Sequence, residues 1–464
     1  MEESLRKKLW SLAWPAIVGN ISQTLLNLVD TLMVGHVSVI AVGAVGLGGQ
    51  VSWFMFPIMI AVSVGTLALV ARFVGAGDFR KAELVMEQSL YLSFLLGIPV
   101  FLFGWFLGDE VLRIMGAEGE TLSIAYSYLK VLFLFYPIRF VGFTFFSALR
   151  GAGDTKTPMK LGMLMNVTNA VFDYLLIYGK LGFPRLGPVG AAWASGIGIT
   201  LSFLVGSFLL ISDRLVLHFR PSWRFDLSIV KRILTIGIPA LVERGLFSFY
   251  NFLYMAIVTR FGSIALSAHQ IGLKIESIAY MPASGFNVAV SALVGQNLGA
   301  KRPDLAEKTV KEALKMVTVF MSVMALVLIL FPRYLVMPFL KPDDPNYPEV
   351  LRLASIYLMI VGISEIPLGW VFVLSGALRG AGDTKSPMYV TAVSKLLFRI
   401  LPSYLLGFGF KIPEFKILKF TFPGFAFRGM GVIAAWVAMS LETFTSAILY
   451  WLIFRRGRWK YTKV

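Results

Sequence analysis

Two aspartates set inside apolar sequence are the first residues that could do chemistry. Asp30 lies in NLVDTLMVG and Asp173 in NVTNAVFDYLLIYG. An ionisable group at the centre of a membrane helix costs on the order of 2.5 to 3.5 kcal/mol on insertion scales, so each calls for a partner or a function. Asn169 precedes Asp173 by one helical turn and shares its face. Both aspartates sit roughly 6 to 9 Å below one surface, counting the helical rise from the ends of their apolar stretches. Ser195, in GAAWAS, lies about 10 Å down the next stretch. Three helices therefore bring polar groups to one depth. Asp30, Asn169, Asp173 and Ser195 form a candidate cluster of oxygen ligands for a cation, with Asp30 and Asp173 able to hold Na+, or a candidate proton relay. Two carboxylates close together in low dielectric cannot both stay ionised, so one takes a proton or the two share a cation. The plainer alternative is that Asp30 and Asp173 satisfy helix ends or bond neighbouring helices; the shared depth favours the functional reading.

The chain that must position these residues has 464 residues, 57% of them hydrophobic and 15% charged, with mean hydropathy +0.75. Soluble chains carry roughly 25% charged residues, so too little polar area is present for a water-facing surface. Twelve apolar blocks, at 10–34, 40–71, 86–108, 121–148, 157–179, 188–212, 229–259, 265–295, 313–337, 349–378, 387–409 and 429–454, are long enough to cross a bilayer as helices. They predict an all-α polytopic membrane protein of twelve helices. The first block runs on without a small-residue cleavage site and reads as a retained span.

A net charge of +17 does not mark a nucleic-acid binder, because the cations fall in loops on one side. Arg6, Lys7 and Lys8 precede helix 1, Arg72, Arg80 and Lys81 follow helix 2, and Arg150, Lys156 and Lys160 follow helix 4. The same side receives Arg214, Arg220, Arg224, Lys231 and Arg232, then Lys301, Arg302 and Lys308, then Arg455, Arg456 and Arg458. This bias predicts an inner-membrane protein with both termini cytoplasmic. Lys411, Lys416 and Lys419 on the other side are an exception.

An internal repeat is the strongest pattern. SALRGAGDTKTPM at 147–159 recurs as GALRGAGDTKSPM at 376–388. In a nearby register Pro15 aligns with Pro239, Gly75 with Gly299 and Glu83 with Glu307. The repeat divides the chain into lobes at 1–220 and 221–464. An even number of spans per lobe makes this a parallel repeat about an axis along the membrane normal, an arrangement transporters use to rock two halves around a central site. Gly153 and Gly382 suit tight turns in the repeated loop, and Asp154 or Thr155 can cap the helix that follows. The loop lacks the spacing of a phosphate-binding P-loop, and energy must come from an ion gradient.

The acidic pair is not repeated: Tyr254 stands in the place of Asp30 and Pro402 in that of Asp173. The second lobe instead carries Glu243, Lys274, Glu276, Glu365, Lys395, Arg399 and Glu442, which predicts internal ion pairs, with Glu243 the best candidate there for a second cation site. Pro15, Pro57, Pro99, Pro137, Pro239, Pro282, Pro367 and Pro402 are candidate kinks. Cys is absent, which excludes disulfides and thiolate chemistry. His36, His218 and His269 form no catalytic motif, so no enzyme and no cofactor is expected.

These residues resemble the multidrug and toxic compound extrusion (MATE) transporters over essentially the whole chain. The likeness rests on NLVDTLMVG, the doubled LRGAGDTK loop, Asn169 with Asp173, GAAWAS and VGQNLGA at 294–300. It implies two six-helix bundles in a V around a central cavity, and antiport of small organic, often cationic, compounds against H+ or Na+ by a monomer in the bilayer. Asp30, Asn169 and Asp173 match the cation-linked residues of the family's damage-inducible (DinF-like) branch, where Ser195 replaces a frequent Thr. Other branches bear an acid on helix 7 where this chain has Phe247, one turn beyond Glu243. The alternative within the same MOP superfamily is a flippase for lipids or lipid-linked sugars, which predicts a cationic cavity involving Arg139, Lys274, Lys395 and Arg399.

Overall fold

Apolar sequence in lipid can satisfy its backbone only within itself, and this chain does so as a succession of long helices. The computed structural model describes residues 2–212, 214–219, 224–412, 415–417, 420–422 and 425–462. Among the described residues ten single helices are long and apolar enough to cross a membrane, and two bent pairs raise the number to as many as twelve. Spans 1 to 3 are Glu2–Gly35, Val39–Gly75 and Phe79–Phe106. Span 4 is the pair Gly119–Leu134 and Tyr136–Ala152, and spans 5 and 6 are Lys156–Tyr178 and Pro188–Ile211. Span 7 is Leu227–Thr259, span 8 the pair Ser263–Ala279 and Met281–Gly299, and span 9 Pro303–Leu330. Span 10 is Tyr347–Gly380 and span 12 is Val432–Arg456. Span 11 joins Lys385–Ser394, a π-helical stretch Lys395–Ile400, and Leu401–Phe408.

Proline explains where the spans break. Spans 4 and 8 bend by 51° and 46°, each immediately before a helix with proline in its first turn, Pro137 and Pro282. The ring removes a donor and crowds the preceding turn. Pro402 stands just after the π-helical stretch in the same way. Pro15, Pro57, Pro99, Pro239 and Pro367 lie inside continuous helices.

The spans are all helical, as the composition predicts, and among the described residues strands occur only in the connection between spans 11 and 12. There β1 (Gly409–Ile412) pairs antiparallel with β4 (Phe425–Arg428), and β2 (Phe415–Ile417) with β3 (Phe420–Phe422). Lys411 and Lys416 fall on β1 and β2. Lys419, Arg220 and the 220/221 lobe boundary lie outside the described residues.

The repeated loops close alike. Gly153 and Gly382 take left-handed φ values of 91° and 87°, where any side chain is strained. Asp154 Oδ1 accepts from the Thr157 amide at 2.9 Å and Asp383 Oδ1 from the Ser386 amide at 3.1 Å, so the aspartate, not the threonine, caps the next helix.

The lobes meet through small residues placed with two-fold reciprocity. Gly237 rests on Ala61, and Gly285, the repeat counterpart of Ala61, rests on Ala13, the counterpart of Gly237. Likewise Gly75 lies on the backbone of Gln296, and Gly299 on that of Arg72. Side chains repeat the exchange: Gln296 Nε2 donates to Gly151 O at 2.9 Å, and Arg72 Nη2 to Ala381 O at 3.2 Å and Thr462 O at 3.0 Å. This is the contact pattern of an isologous interface, realised inside one chain. All these contacts lie on the half of the spans that ends in the repeated loops.

A methyl group at Gly75 meets the Gln296 carbonyl, whereas one at Gly49 meets nothing within 4 Å. Gly75→Ala is therefore expected to destabilise the protein by about 1–3 kcal/mol, read as a lowered Tm in detergent, with Gly49→Ala showing no such loss.

Candidate functional site

Spans 1, 5 and 6 approach closely because glycine lets them. A Cβ on Gly198 would stand 2.7 Å from Met165 O, and one on Gly190 2.8 Å from the Leu176 carbonyl carbon, so span 6 lies on span 5 with backbone nearly touching backbone. Span 5 is tied to span 1 twice. Asn166 Nδ2 donates to Ser22 Oγ at 2.9 Å, and Tyr178 OH donates to Met33 O at 2.9 Å. Asp30 lies between these two ties along span 1.

The result is one cluster of all four residues. Asn169 is its hub: its amide nitrogen donates to Asp30 Oδ1 at 3.2 Å and to Asp173 Oδ2 at 2.7 Å, while its oxygen accepts from Ser195 Oγ at 2.7 Å. The reverse orientation of the amide would turn its oxygen onto two carboxyls. Asp173 and Asn169 are buried, with 0% and 3% exposure, and Asp30 and Ser195 are half-buried. Asp173 Oδ1 is buried without a donor when both carboxyls are ionised, although Asp30 lies within hydrogen-bonding reach of Asp173. A proton or a small cation between the carboxyls supplies what the side chains do not. Such a cation would have the two carboxyl groups to draw on, with Ser195 holding the Asn169 amide in place.

Sequence reasoning missed three contributors. Tyr128 on span 4 stands close enough to both carboxyls to feel their charge, and nothing in its surroundings along the chain marks it. Ser22 has no signal of its own. Asn166 does: it lies three residues before Asn169, hence on the same helical face.

The second lobe holds most of its expected ion pairs. Glu442 accepts from Arg399 at 2.6 Å and from Ser446 at 2.7 Å, with Lys395 at 3.7 Å. Glu243 pairs with Arg379 of the repeated loop at 2.6 Å, so it stands apart from Asp30 and Asp173, already answered by a cation. Glu276 accepts from Tyr357 OH. Three expectations fail: Glu276 has that hydroxyl but no ion pair among the described residues, Lys274 is exposed with none, and Glu365 is fully buried with neither carboxyl oxygen bonded. Pairing requires a partner at the right place on another span, and a census of charges along the chain does not contain that.

Fold and site together define a two-lobed, multi-pass membrane protein with an acidic pair held inside one lobe and an ion-pair network inside the other. The chain belongs to the MatE family, whose profile matches residues 15–175 and, a second time, residues 239–405. It is 31% identical over 466 residues to the "Probable multidrug resistance protein NorM" of Thermotoga maritima, covering 98% of this chain and 93% of that one. It is 27% identical over 382 residues to the "Probable multidrug resistance protein YoeA" of Bacillus subtilis, covering 81% of each. It shares its fold, with a TM-score of 0.87 and 22% identity, with a MOP superfamily transporter from Pyrococcus furiosus, over 99% of this chain and 97% of that one. A MATE structure in a bent conformation gives 0.86 at 22% identity, over 97% and 95%.

The Glu442 carboxylate is 6% exposed and answers two cations. Glu442→Gln leaves Arg399 and Lys395 without their anion, and removing one partner of a buried pair costs about 3–5 kcal/mol. The expected outcome is a sharply lowered Tm and loss of monodisperse protein on size exclusion.

Proposed function

We propose that this protein is a secondary active multidrug efflux transporter, exchanging small organic compounds for H+ or Na+ by alternating access. It works as a monomer in the inner membrane with both termini cytoplasmic, the side on which its loop cations concentrate. Within the family its motifs place it nearest the damage-inducible (DinF-like) branch. The names of its relatives support multidrug efflux.

The observation that carries the coupling step is the carboxyl pair bridged by Asn169, with Asp173 Oδ1 short of a donor. A cation entering from the far side of the membrane neutralises Asp30 and Asp173. Span 1 then settles against spans 5 and 6, and affinity for the organic compound falls in the outward-facing state. Only such a difference in binding between two states couples two fluxes. The repeated-loop ends of the lobes, held by Arg72 and Gln296, form the closed side in this arrangement, and it is these contacts that must part for inward access.

The test is efflux from proteoliposomes loaded with an organic cation under an imposed pH or sodium gradient. Asp30→Asn is expected to reduce gradient-driven efflux to the level of protein-free vesicles; full activity in that variant sinks the coupling site. Asn169→Ala unties both carboxyls and is expected to cost about 1–3 kcal/mol of stability together with most of the gradient dependence.

A further inference from the structure

Span 7 and the π-helical stretch of span 11 meet at a group of cations larger than the carboxylates beside it answer. Arg379 has Glu243 at 2.6 Å, and Arg399 has Glu442 at 2.6 Å. Lys395 is 3.7 Å from that same Glu442 carboxylate. Arg244 is a near neighbour of Arg379 and Glu243, yet it makes no ion pair among the described residues and is half-buried. Arg399 Nε is buried without an acceptor. Glu276, half-buried and bonded to Tyr357 OH, feels the charge of Arg399 without forming an ion pair with it, and the buried Glu365 carboxyl has neither oxygen bonded.

An aromatic ring sits in the middle of the group. Lys395 Nζ is 4.5 Å from the centre of the Phe247 ring and the Arg244 guanidinium 5.4 Å from it. Phe247 is 36% exposed, so its ring is open to a ligand. Cations inside a membrane protein face partners or substrate paths, and Arg244 has the Phe247 ring but no ion pair among the described residues. The stretch that brings Lys395 and Arg399 here is π-helical, a form concentrated at functional positions.

We propose that Arg244, Phe247 and Lys395 form a binding site for an organic anion. Arg244 and Lys395 take a carboxylate, sulfonate or phosphate through charge-assisted hydrogen bonds, and the apolar body of the ligand packs on Phe247. The site rests on the transporter reading and adds to its substrate class amphiphiles that bear a negative group. Free organic anions and lipid headgroups share that chemistry.

The test is equilibrium binding to the full-length protein in phosphatidylcholine liposomes without any gradient. The probes are naphthalene-2-sulfonate and 2-naphthylmethylammonium, which share a ring system and differ in charge. The sulfonate is expected to bind about tenfold more tightly than the ammonium, and Arg244→Gln to remove about tenfold of the sulfonate affinity while leaving the ammonium affinity unchanged or higher. Arg244→Gln breaks no ion pair, so the variant folds with wild-type Tm. Phe247→Ala weakens both probes. Equal affinity for the two probes, or a sulfonate titration unmoved by Arg244→Gln, overturns the site. Partial replacement of phosphatidylcholine by phosphatidylglycerol separates the sources: competition assigns the site to lipid headgroups, and an unchanged titration assigns it to free anions. Because the titration involves no gradient, loss of coupled efflux and loss of sulfonate binding are distinct outcomes.

Discussion

Lipid offers no hydrogen-bond partner, so each polar group drawn into the membrane must be answered by another part of the same protein. The first lobe meets that demand around Asn169. One side-chain amide has two donors and one acceptor oxygen, and here all are used: the donors by Asp30 and Asp173, the oxygen by Ser195. That arrangement dictates how the spans lie. Ser195 reaches Asn169 only because Gly190 and Gly198 let span 6 settle on span 5, and Asp30 reaches it because the Ser22–Asn166 and Met33–Tyr178 bonds pin span 1 on either side. Among Asp30, Asn169, Asp173 and Ser195 the buried oxygen left without a partner is Asp173 Oδ1, and beside them Asn166 Oδ1 is open too.

How much of this is legible before any coordinates are known depends on whether the determining contact is local. Depth and helical periodicity suffice to bring Asp30, Asn169, Asp173 and Ser195 to one level, since rise per residue is fixed and the helices are straight near those positions. The role of Asn169 as hub is less accessible, because an amide can donate or accept and only the partners decide. Tyr128 enters from span 4 through a long-range approach that leaves no trace in its own neighbourhood. In the second lobe, Lys395 and Arg399 share a face by spacing alone, but that both turn to Glu442, while Glu365 is left without any partner, depends on how spans 8, 10, 11 and 12 are rotated. The antiparallel pairing of β1 with β4 and β2 with β3 hides in a loop where apolar and cationic residues alternate too briefly to stand out beside twenty-residue apolar blocks.

The repeat keeps its surface contacts and gives up its interior chemistry. Ala13 with Gly285 and Gly237 with Ala61 preserve the same close approach from both sides, as do Arg72 with Gly299 and Gln296 with Gly75. Inside, Tyr254 occupies the place of Asp30 and spends its hydroxyl on Ala435 O at 3.0 Å, and Pro402 occupies the place of Asp173, where it follows a π-helical stretch. Small residues at the seam are constrained twice over, because each side must fit the other. Polar residues inside a lobe answer only to their own bundle, so one lobe can hold a carboxyl pair and the other an excess of guanidinium and ammonium groups.

The seam is also weak in the sense that alternating access requires. Among the described residues its polar links include Gln296 to the Gly151 carbonyl, Arg72 to the Ala381 and Thr462 carbonyls, Asn20 to Ser284 Oγ, Gln88 to the Arg224 carbonyl and the Asp226 amide, and an Arg6–Glu312 ion pair whose arginine is half in solvent. A neutral hydrogen bond contributes about 0.5–1.5 kcal/mol, one from a charged donor about 1.5–3, and an exposed ion pair at most about 1. Shifting a two-state equilibrium from one side to the other takes about 5.5 kcal/mol of differential binding, which is the same order as these links combined. Glycine packing, by contrast, is lost or kept as a unit, since backbone atoms in contact cannot part by degrees. In the proposed exchange, the differential binding of a cation at Asp30 and Asp173 has to offset links of this size.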